Sequence, residues 1–335
     1  MTAPPHASSH PPPGILVVGL NAAWQRVLEF DQLHIGEVNR ARKASECYAG
    51  KGANVARALR RIGREEAILA QFAAGTVGER ILDALNAEGV RHRTVRTPGE
   101  TRVCTTVLDH AGKGRVTELI DPSPTVPAAA VCELRNALRE EPGLACSATA
   151  LCGTWPPGAD ASLYCAAAEV GRRNGFVLLD AWKGITPVLE QGVDILKVNA
   201  QELRTLAGRE PLHDAARHCL DAYSLVAVAV TDGAGAAYVF GRKCAYRYTL
   251  PTLAAEQVKN PIGAGDVVTA GLLHALTSAF ADEGRPRASL RPTLDGIADA
   301  FGLALAWGTA SCLELLPAHF DPDLAADLAV RREPV

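Results

Sequence analysis

The chain has 335 residues, of which 48% are hydrophobic and 21% charged, with a formal net charge of −3. That length supplies a core that needs no disulfide or metal staples, and the charge excludes the basic footprint of a non-specific nucleic-acid binder. Nine cysteines, odd in number, scattered from Cys47 to Cys312 and without a CxxC, read as reduced thiols of a cytoplasmic protein rather than a disulfide framework. No apolar run of about 18 residues predicts a membrane span. Residues 1–13, Pro-rich with neither a basic nor an apolar stretch, read as a disordered lead-in rather than a secretory signal.

Ile15 to Leu20 is a short apolar run ending at Asn21, which predicts a buried strand. Arg26 to Ser45 alternates loosely around Gly36 and predicts two exposed strands. The turn Gly50-Lys51-Gly52 opens a helix over Asn54 to Arg61, closed by Gly63. A strand over Ala67 to Phe72 follows, then a helix over Val77 to Ala87 with Ile81, Leu82 and Leu85 on one face. Thr101 to Leu108 and Arg115 to Ile120 flank His110-Ala-Gly-Lys-Gly114, a hairpin pattern. From Pro127 the rhythm alternates: helix Val131 to Arg139, strand Ala148 to Cys152, helix Ser162 to Arg173, strand Phe176 to Asp180. Strand Asp194 to Val198, helix Gln201 to Leu206, a helix around Ala215 to Asp221 and strand Leu225 to Val230 continue it. A hairpin spans Ala236 to Tyr248, and helices Gly265 to Phe280 and Thr293 to Ser311 come last.

This βα alternation predicts an α/β fold with a mostly parallel central sheet covered by helices on both faces. The strand pairs near 25–46 and 100–121 break the alternation and are expected to form a separate small sheet. One domain over 14–330 results, with ligands held beyond the carboxyl ends of its strands.

The sharpest chemistry lies in Asn260-Pro-Ile-Gly263-Ala264-Gly265-Asp266. Its glycines open a tight turn at the mouth of an apolar helix, where free amides make an anion site. An aspartate in that first turn can cap the helix. With a phosphate on the amides it can instead take a proton from an incoming hydroxyl, the division of labour that phosphoryl transfer needs. No Walker A sequence, kinase HRD loop or GxGxxG after the first strand is present.

That segment resembles the signature of the PfkB (ribokinase-type) carbohydrate kinases, and Gly50-Lys51-Gly52-Ala-Asn54-Val-Ala resembles their N-terminal GGKGxNVA motif. Gly36-Glu-Val-Asn-Arg40, Gly99-Glu-Thr-Arg102, Thr117 to Pro124 and Gly153-Thr-Trp-Pro-Pro-Gly158 are similar to the family's 1-phosphofructokinase and tagatose-6-phosphate kinase branch. The resemblance implies a ribokinase-like fold with a β-sheet lid, a homodimer paired through that lid, and ATP with Mg²⁺. It makes Asp266 the catalytic base and the amides of Gly263, Ala264 and Gly265 the anion hole. Around a sugar or sugar phosphate it places Gly50, Lys51, Asn54, Arg102 and Gln25. The family's first strand carries an aspartate where Gln25 stands, and a Thr or Ser where Pro261 stands. An amide offers one acceptor where a carboxylate accepts from two hydroxyls, so the identity of the sugar is left open.

Lys197-Val-Asn199-Ala-Gln-Glu202 is similar to the family's K-P-N-x-x-E, and the resemblance places Lys197 at the ATP, stabilising the transferring charge, with Asn199 and Glu202 holding Mg²⁺ near its phosphates. The same spacing makes a helix capping box, and the two uses are compatible. Thr231-Asp232-Gly233-Ala234-Gly235-Ala236 is similar to the family's nucleotide loop; a plain glycine hairpin is the competing reading. The substrate implied is a phosphorylated ketohexose. A kinase for a free sugar or nucleoside, and a catalytically idle sugar sensor, are the alternatives.

Overall fold

The computed structural model describes residues 14–111, 115–144, 146–254, 256–282 and 291–335. In chain order the elements are β1 (Ile15–Asn21), β2 (Ala23–Phe30), β3 (Lys43–Ala49), α1 (Lys51–Arg61), β4 (Ile68–Ala74), α2 (Gly75–Ala87) and β5 (Arg91–Thr97). Next come β6 (Val103–Asp109), β7 (Arg115–Ile120), α3 (Ala128–Glu140), β8 (Ala148–Cys152), α4 (Ala161–Asn174), β9 (Phe176–Asp180), α5 (Thr186–Gln191) and β10 (Ile195–Asn199). The chain continues with α6 (Ala200–Ala207), α7 (Leu212–Ala222), β11 (Ala227–Asp232), β12 (Ala236–Phe240), β13 (Ala245–Thr249), α8 (Ala264–Asp282), α9 (Leu294–Ser311), α10 (Pro322–Ala326) and β14 (Arg331–Pro334).

Ten strands form one sheet in the order β14-β13-β12-β11-β10-β9-β8-β1-β4-β5. The run from β11 to β5 is parallel, and β12, β13 and β14 add antiparallel at the other side. Alternation along β1 shows why both faces need cover: Ile15 and Val17 enter one core, Leu16, Val18 and Leu20 the other. The first core is built with α1, α8 and α9 (Leu59, Leu272, Phe301), the second with α3, α4, α6 and α7 (Leu134, Leu163, Leu203, Leu220). Helix α8 is apolar nearly all round because it lies between α1 and α9.

A second sheet has the order β3-β2-β6-β7, so the strands that broke the alternation do form a separate small sheet. Strands β2 and β6 are its parallel centre. The expectation of two exposed strands between 26 and 45 is corrected for β2, whose Ala23, Trp24, Gln25, Val27 and Phe30 are all buried. Neighbouring strands flank it on both sides, and Arg80 of α2 stacks 3.9 Å over the Trp24 ring. The Trp24 indole donates to Glu46, so that side chain packs the sheet. The hairpin turn at Gly112–Gly114 and the lead-in 1–13 lie outside the described residues.

Two joints between the sheets are one residue long. Ala22 alone separates β1 from β2, and Gly50 alone separates β3 from α1. Gly50 has φ +105°, and a Cβ there would lie 2.9 Å from the Asn21 carbonyl oxygen and 3.3 Å from the Ala22 Cα, so the two joints touch. Behind them, β1 meets α1 backbone to backbone: a Cβ on Gly52 would stand 2.4 Å from the Gly19 Cα, so neither position admits a side chain.

The large sheet runs past the domain end expected at 330, because β14 pairs with β13. Among the described residues no two cysteines form a disulfide. Among the described residues no helix is long and apolar enough to cross a membrane.

Candidate functional site

Two cavities open at the carboxyl-end side of the parallel strands. The smaller, about 130 Å³, is lined by Asn21, Lys51, Arg102, Thr154, Trp182 and Glu202 among others. The larger, about 400 Å³, is walled by Thr231, Gly233, Pro251, Gly265, Leu305 and Gly308 with further residues of the 250–258 segment and α9. Between them the two glycine motifs meet. Asn54 Nδ2 donates to Asp266 Oδ2 at 2.7 Å across 212 positions of sequence.

Helix α1 starts at Lys51, three residues earlier than expected, which stacks Lys51 and Asn54 on one face one turn apart. Asp266 sits in the first turn of α8, and the residue is only 6% exposed. Burial pushes its carboxyl up to about 6; the Lys51 ammonium pulls against this, and the negative charge of Asp180 adds to the push.

Beneath them lies a buried cluster. Asp180, at the end of β9, takes Lys51 Nζ at 2.8 Å on one oxygen, and Lys197 Nζ at 3.1 Å and Thr269 Oγ1 at 2.7 Å on the other. Burial alone would raise this carboxyl. The ammonium groups of Lys197 and Lys51, with hydrogen bonds from Lys51 and Thr269, hold it far below the usual carboxylate range. Lys197 also donates to the Gly265 carbonyl at 2.8 Å, so β10 and β9 together pin the turn that opens α8. Lys51 thus has a carboxylate partner under the cavity it lines, and its pKa rises with that partner despite burial.

The turn itself is shaped by Gly263 at φ +87°, where a Cβ would meet the Ala318 nitrogen at 2.8 Å. Asn260 is buried, accepts from the Ile262 amide and donates to the Leu315 carbonyl. The Ala264 amide donates to Pro261 O at 3.3 Å and the Asp266 amide to Gly263 O at 3.0 Å. The Gly265 amide has no acceptor among the described residues, and Gly265 lines the larger cavity. Of the expected anion hole, Gly265 therefore has the opening and Ala264 is already engaged.

The other expected residues divide. Arg102 lines the smaller cavity, anchored through Nε to the Ala22 carbonyl at 3.4 Å and through one Nη to the Asn21 carbonyl at 3.2 Å. Gln25 does not line it: its amide donates to Thr106 Oγ1 at 2.8 Å inside the small sheet. Thr231, Gly233 and Ala234 reach the larger cavity, whereas Asp232, Gly235 and Ala236 complete the β11–β12 turn. Asn199 and Glu202 form a full capping box on α6, each side chain accepting from the other's backbone amide. That occupies Asn199 Oδ1 and Glu202 Oε2; Glu202 Oε1 faces Lys51 Nζ at 4.0 Å, and Glu202 lines the smaller cavity. Among the described residues no group of three or more His, Cys, Asp or Glu side chains could hold a metal. The Glu202 oxygen left outside the capping box, shared with Lys51, suits a hydrated Mg²⁺ held through water, since that ion keeps several waters.

Sequence reasoning missed Asp180, Thr269, Trp182 and most of the larger cavity's wall. Asp180 did carry a signal, being the one charge closing an apolar run at the carboxyl end of a parallel strand.

The sequence profile of the pfkB family carbohydrate kinases matches residues 14–292. The chain belongs to this family. It is an ATP-dependent sugar kinase. Among solved structures, phosphofructokinase-2 from Escherichia coli in complex with potassium superposes with a TM-score of 0.77 at 20% identity, covering 94% of this chain and 97% of that one. A Thermotoga maritima protein described as a possible 1-phosphofructokinase gives 0.75 at 18%, covering 95% and 99%. Ribokinase from Giardia lamblia gives 0.75 at 16%, covering 94% and 99%. At such identities the likeness speaks for the ribokinase-like fold.

Proposed function

We propose that this kinase phosphorylates a hydroxyl of a phosphorylated ketohexose, of the fructose-1-phosphate, fructose-6-phosphate or tagatose-6-phosphate type, with Asp266 as general base. The observation that carries the reading is the bond from Asn54 to Asp266, which ties the helix whose Lys51 lines the smaller cavity to the helix whose Gly265 lines the larger one, at a carboxylate that burial raises. The sugar occupies the smaller cavity, and ATP the larger, with its transferring phosphate at the Gly265 amide. Lys51 and Arg102 both line the sugar side, and Arg102 keeps one Nη free of its two backbone anchors to meet a phosphate oxygen. Asn199 and Glu202 would hold Mg²⁺ through waters, and the ion would supply charge neutralisation at the nucleotide phosphates. Lys197 acts from below by holding Gly265.

A coupled ADP-release assay over fructose-1-phosphate, fructose-6-phosphate, tagatose-6-phosphate, free hexoses and nucleosides tests the substrate class. Turnover is expected with a phosphorylated ketohexose and is lost in Arg102→Ala. Turnover with free sugars or nucleosides alone assigns the smaller cavity to an uncharged ligand, and sugar binding without ADP release makes the chain a sensor.

A homodimer through the small sheet belongs to the same proposal. Leu119 and Ile120 on its outer strand β7 are 58% and 57% exposed, apolar side chains without cover in the single chain. Sedimentation equilibrium is expected to give a dimer, with Leu119→Lys shifting it toward monomer; a wild-type monomer at micromolar concentration sinks this part.

A further inference from the structure

Arg57 is wholly buried on α1, one turn beyond Asn54. Its guanidinium lies 3.7 Å over the Tyr48 ring, Nη2 donates to the Tyr48 carbonyl at 2.6 Å, and Nε is 3.5 Å from Glu88 Oε2. Nη1 donates to the Pro317 carbonyl at 3.2 Å and to Asn54 Oδ1 at 3.4 Å. Burying a guanidinium is expensive, and Glu88, 42% exposed, is its only ion-pair partner among the described residues. The sugar and nucleotide cavities do not include it.

The orientation of Asn54 gives that arginine a task. An amide oxygen only accepts and an amide nitrogen only donates. A guanidinium on the oxygen side leaves one orientation, with Nδ2 turned to Asp266. The second contact of Nη1, to the Pro317 carbonyl, anchors the guanidinium itself. Pro317 and Ala318 form the turn against which Gly263 packs at the head of α8.

We infer that Arg57 is a positioning residue for phosphoryl transfer: it locks the Asn54 amide in the orientation that donates to Asp266. The inference rests on Asp266 being the base. Without Arg57 the amide can rotate, its oxygen then faces the carboxylate, and two acceptors repel. Asp266 is otherwise faced by Lys51 from α1, Asp180 from β9 and Lys197 from β10. The two lysines donate to Asp180, so Asn54 is what holds Asp266 Oδ2.

Arg57→Lys keeps the charge but cannot span Tyr48, Asn54 and Pro317 with one planar fork. Its kcat is expected to fall about 10- to 100-fold, the scale of an ångström-sized misplacement of a reacting group. The KM for ATP should stay within about threefold, and the acid limb of kcat/KM should move to higher pH. In the double variant Arg57→Met with Asn54→Ala, kcat should be no lower than in Asn54→Ala alone, because Arg57 acts through Asn54. Additive losses overturn the inference. So does an Arg57→Lys protein with a lower unfolding temperature but unchanged kcat and pH profile when assayed far below that temperature. Should Arg57→Met fail to fold, the Arg57→Lys kinetics decide alone. Asp266→Asn in the same assay separates the two readings: wild-type turnover there overturns the base, whereas its loss beside unchanged Arg57→Lys kinetics overturns only the positioning role.

Discussion

Asp266→Asn is expected to lower turnover by about 100- to 10,000-fold, the range that a positioned general base contributes, while isothermal titration shows ATP binding within about threefold of wild type. The substitution keeps shape and volume and removes only the basic oxygen. As the proposed base, the wild-type carboxyl must be ionised to accept a hydroxyl proton, and burial raises it to about 6. Accordingly, kcat/KM should decline as pH falls through about 6, since that ratio reports the free enzyme. A profile flat down to about pH 5 would put the base elsewhere. The stability sign is opposite. A carboxyl raised above its unfolded value favours the fold most when protonated, and this contribution is lost as pH rises through about 6. The asparagine variant should therefore unfold no more easily than the wild type at neutral pH. Lost turnover with intact folding separates chemistry from collapse.

The second large effect belongs to stability. Asp180→Ala is expected to cost about 3–5 kcal/mol in urea denaturation, the penalty for leaving the buried Lys197 cation without its counter-charge. Lys197 is 4% exposed and Lys51 is its neighbour across the same carboxylate. Thr269 in α8 would also lose its acceptor in β9 and keep only the longer bond to the Gly265 carbonyl at 3.3 Å. Because the folded carboxyl lies far below its unfolded value, its contribution is complete above the ordinary carboxylate range. It is lost only as pH falls well below that range. The variant should show the deficit throughout neutral pH and converge on the wild type only in strong acid. A loss below about 1 kcal/mol, as for surface ion pairs, would mean that the lysines find water or other partners.

Elements with strong local patterns were legible from sequence. The apolar runs of β1, β8, β9 and β11 and the glycine turns before α1 and α8 announce themselves through periodicity and backbone need. Strand β5, Arg-His-Arg-Thr-Val-Arg-Thr, gave no such signal because it is the sheet's outer strand beside β4, and three of its side chains are basic arginines. The site was legible where a motif demanded unusual backbone, as at Gly263, or a polar residue inside an apolar helix, as at Asn54. It was not legible where a ligand wall is made of ordinary core residues: Leu305 and Gly308 on α9 look the same in sequence whether they face a neighbour or a cavity. Lys51 reads as a free cation until the fold brings Asp180 beneath it from 129 positions away.

The small sheet is joined to the body by four chain crossings, and two of them, Ala22 and Gly50, are single residues in contact. Paired joints of this kind constrain a rigid panel as hinge pins constrain a door. Translation is resisted and rotation about the line through them is the soft degree of freedom. Arg102 grips that axis through the carbonyls of Asn21 and Ala22, so any swing of the panel turns the same guanidinium that lines the smaller cavity. Movement of the sheet and the shape of that cavity are thereby geared together at one side chain.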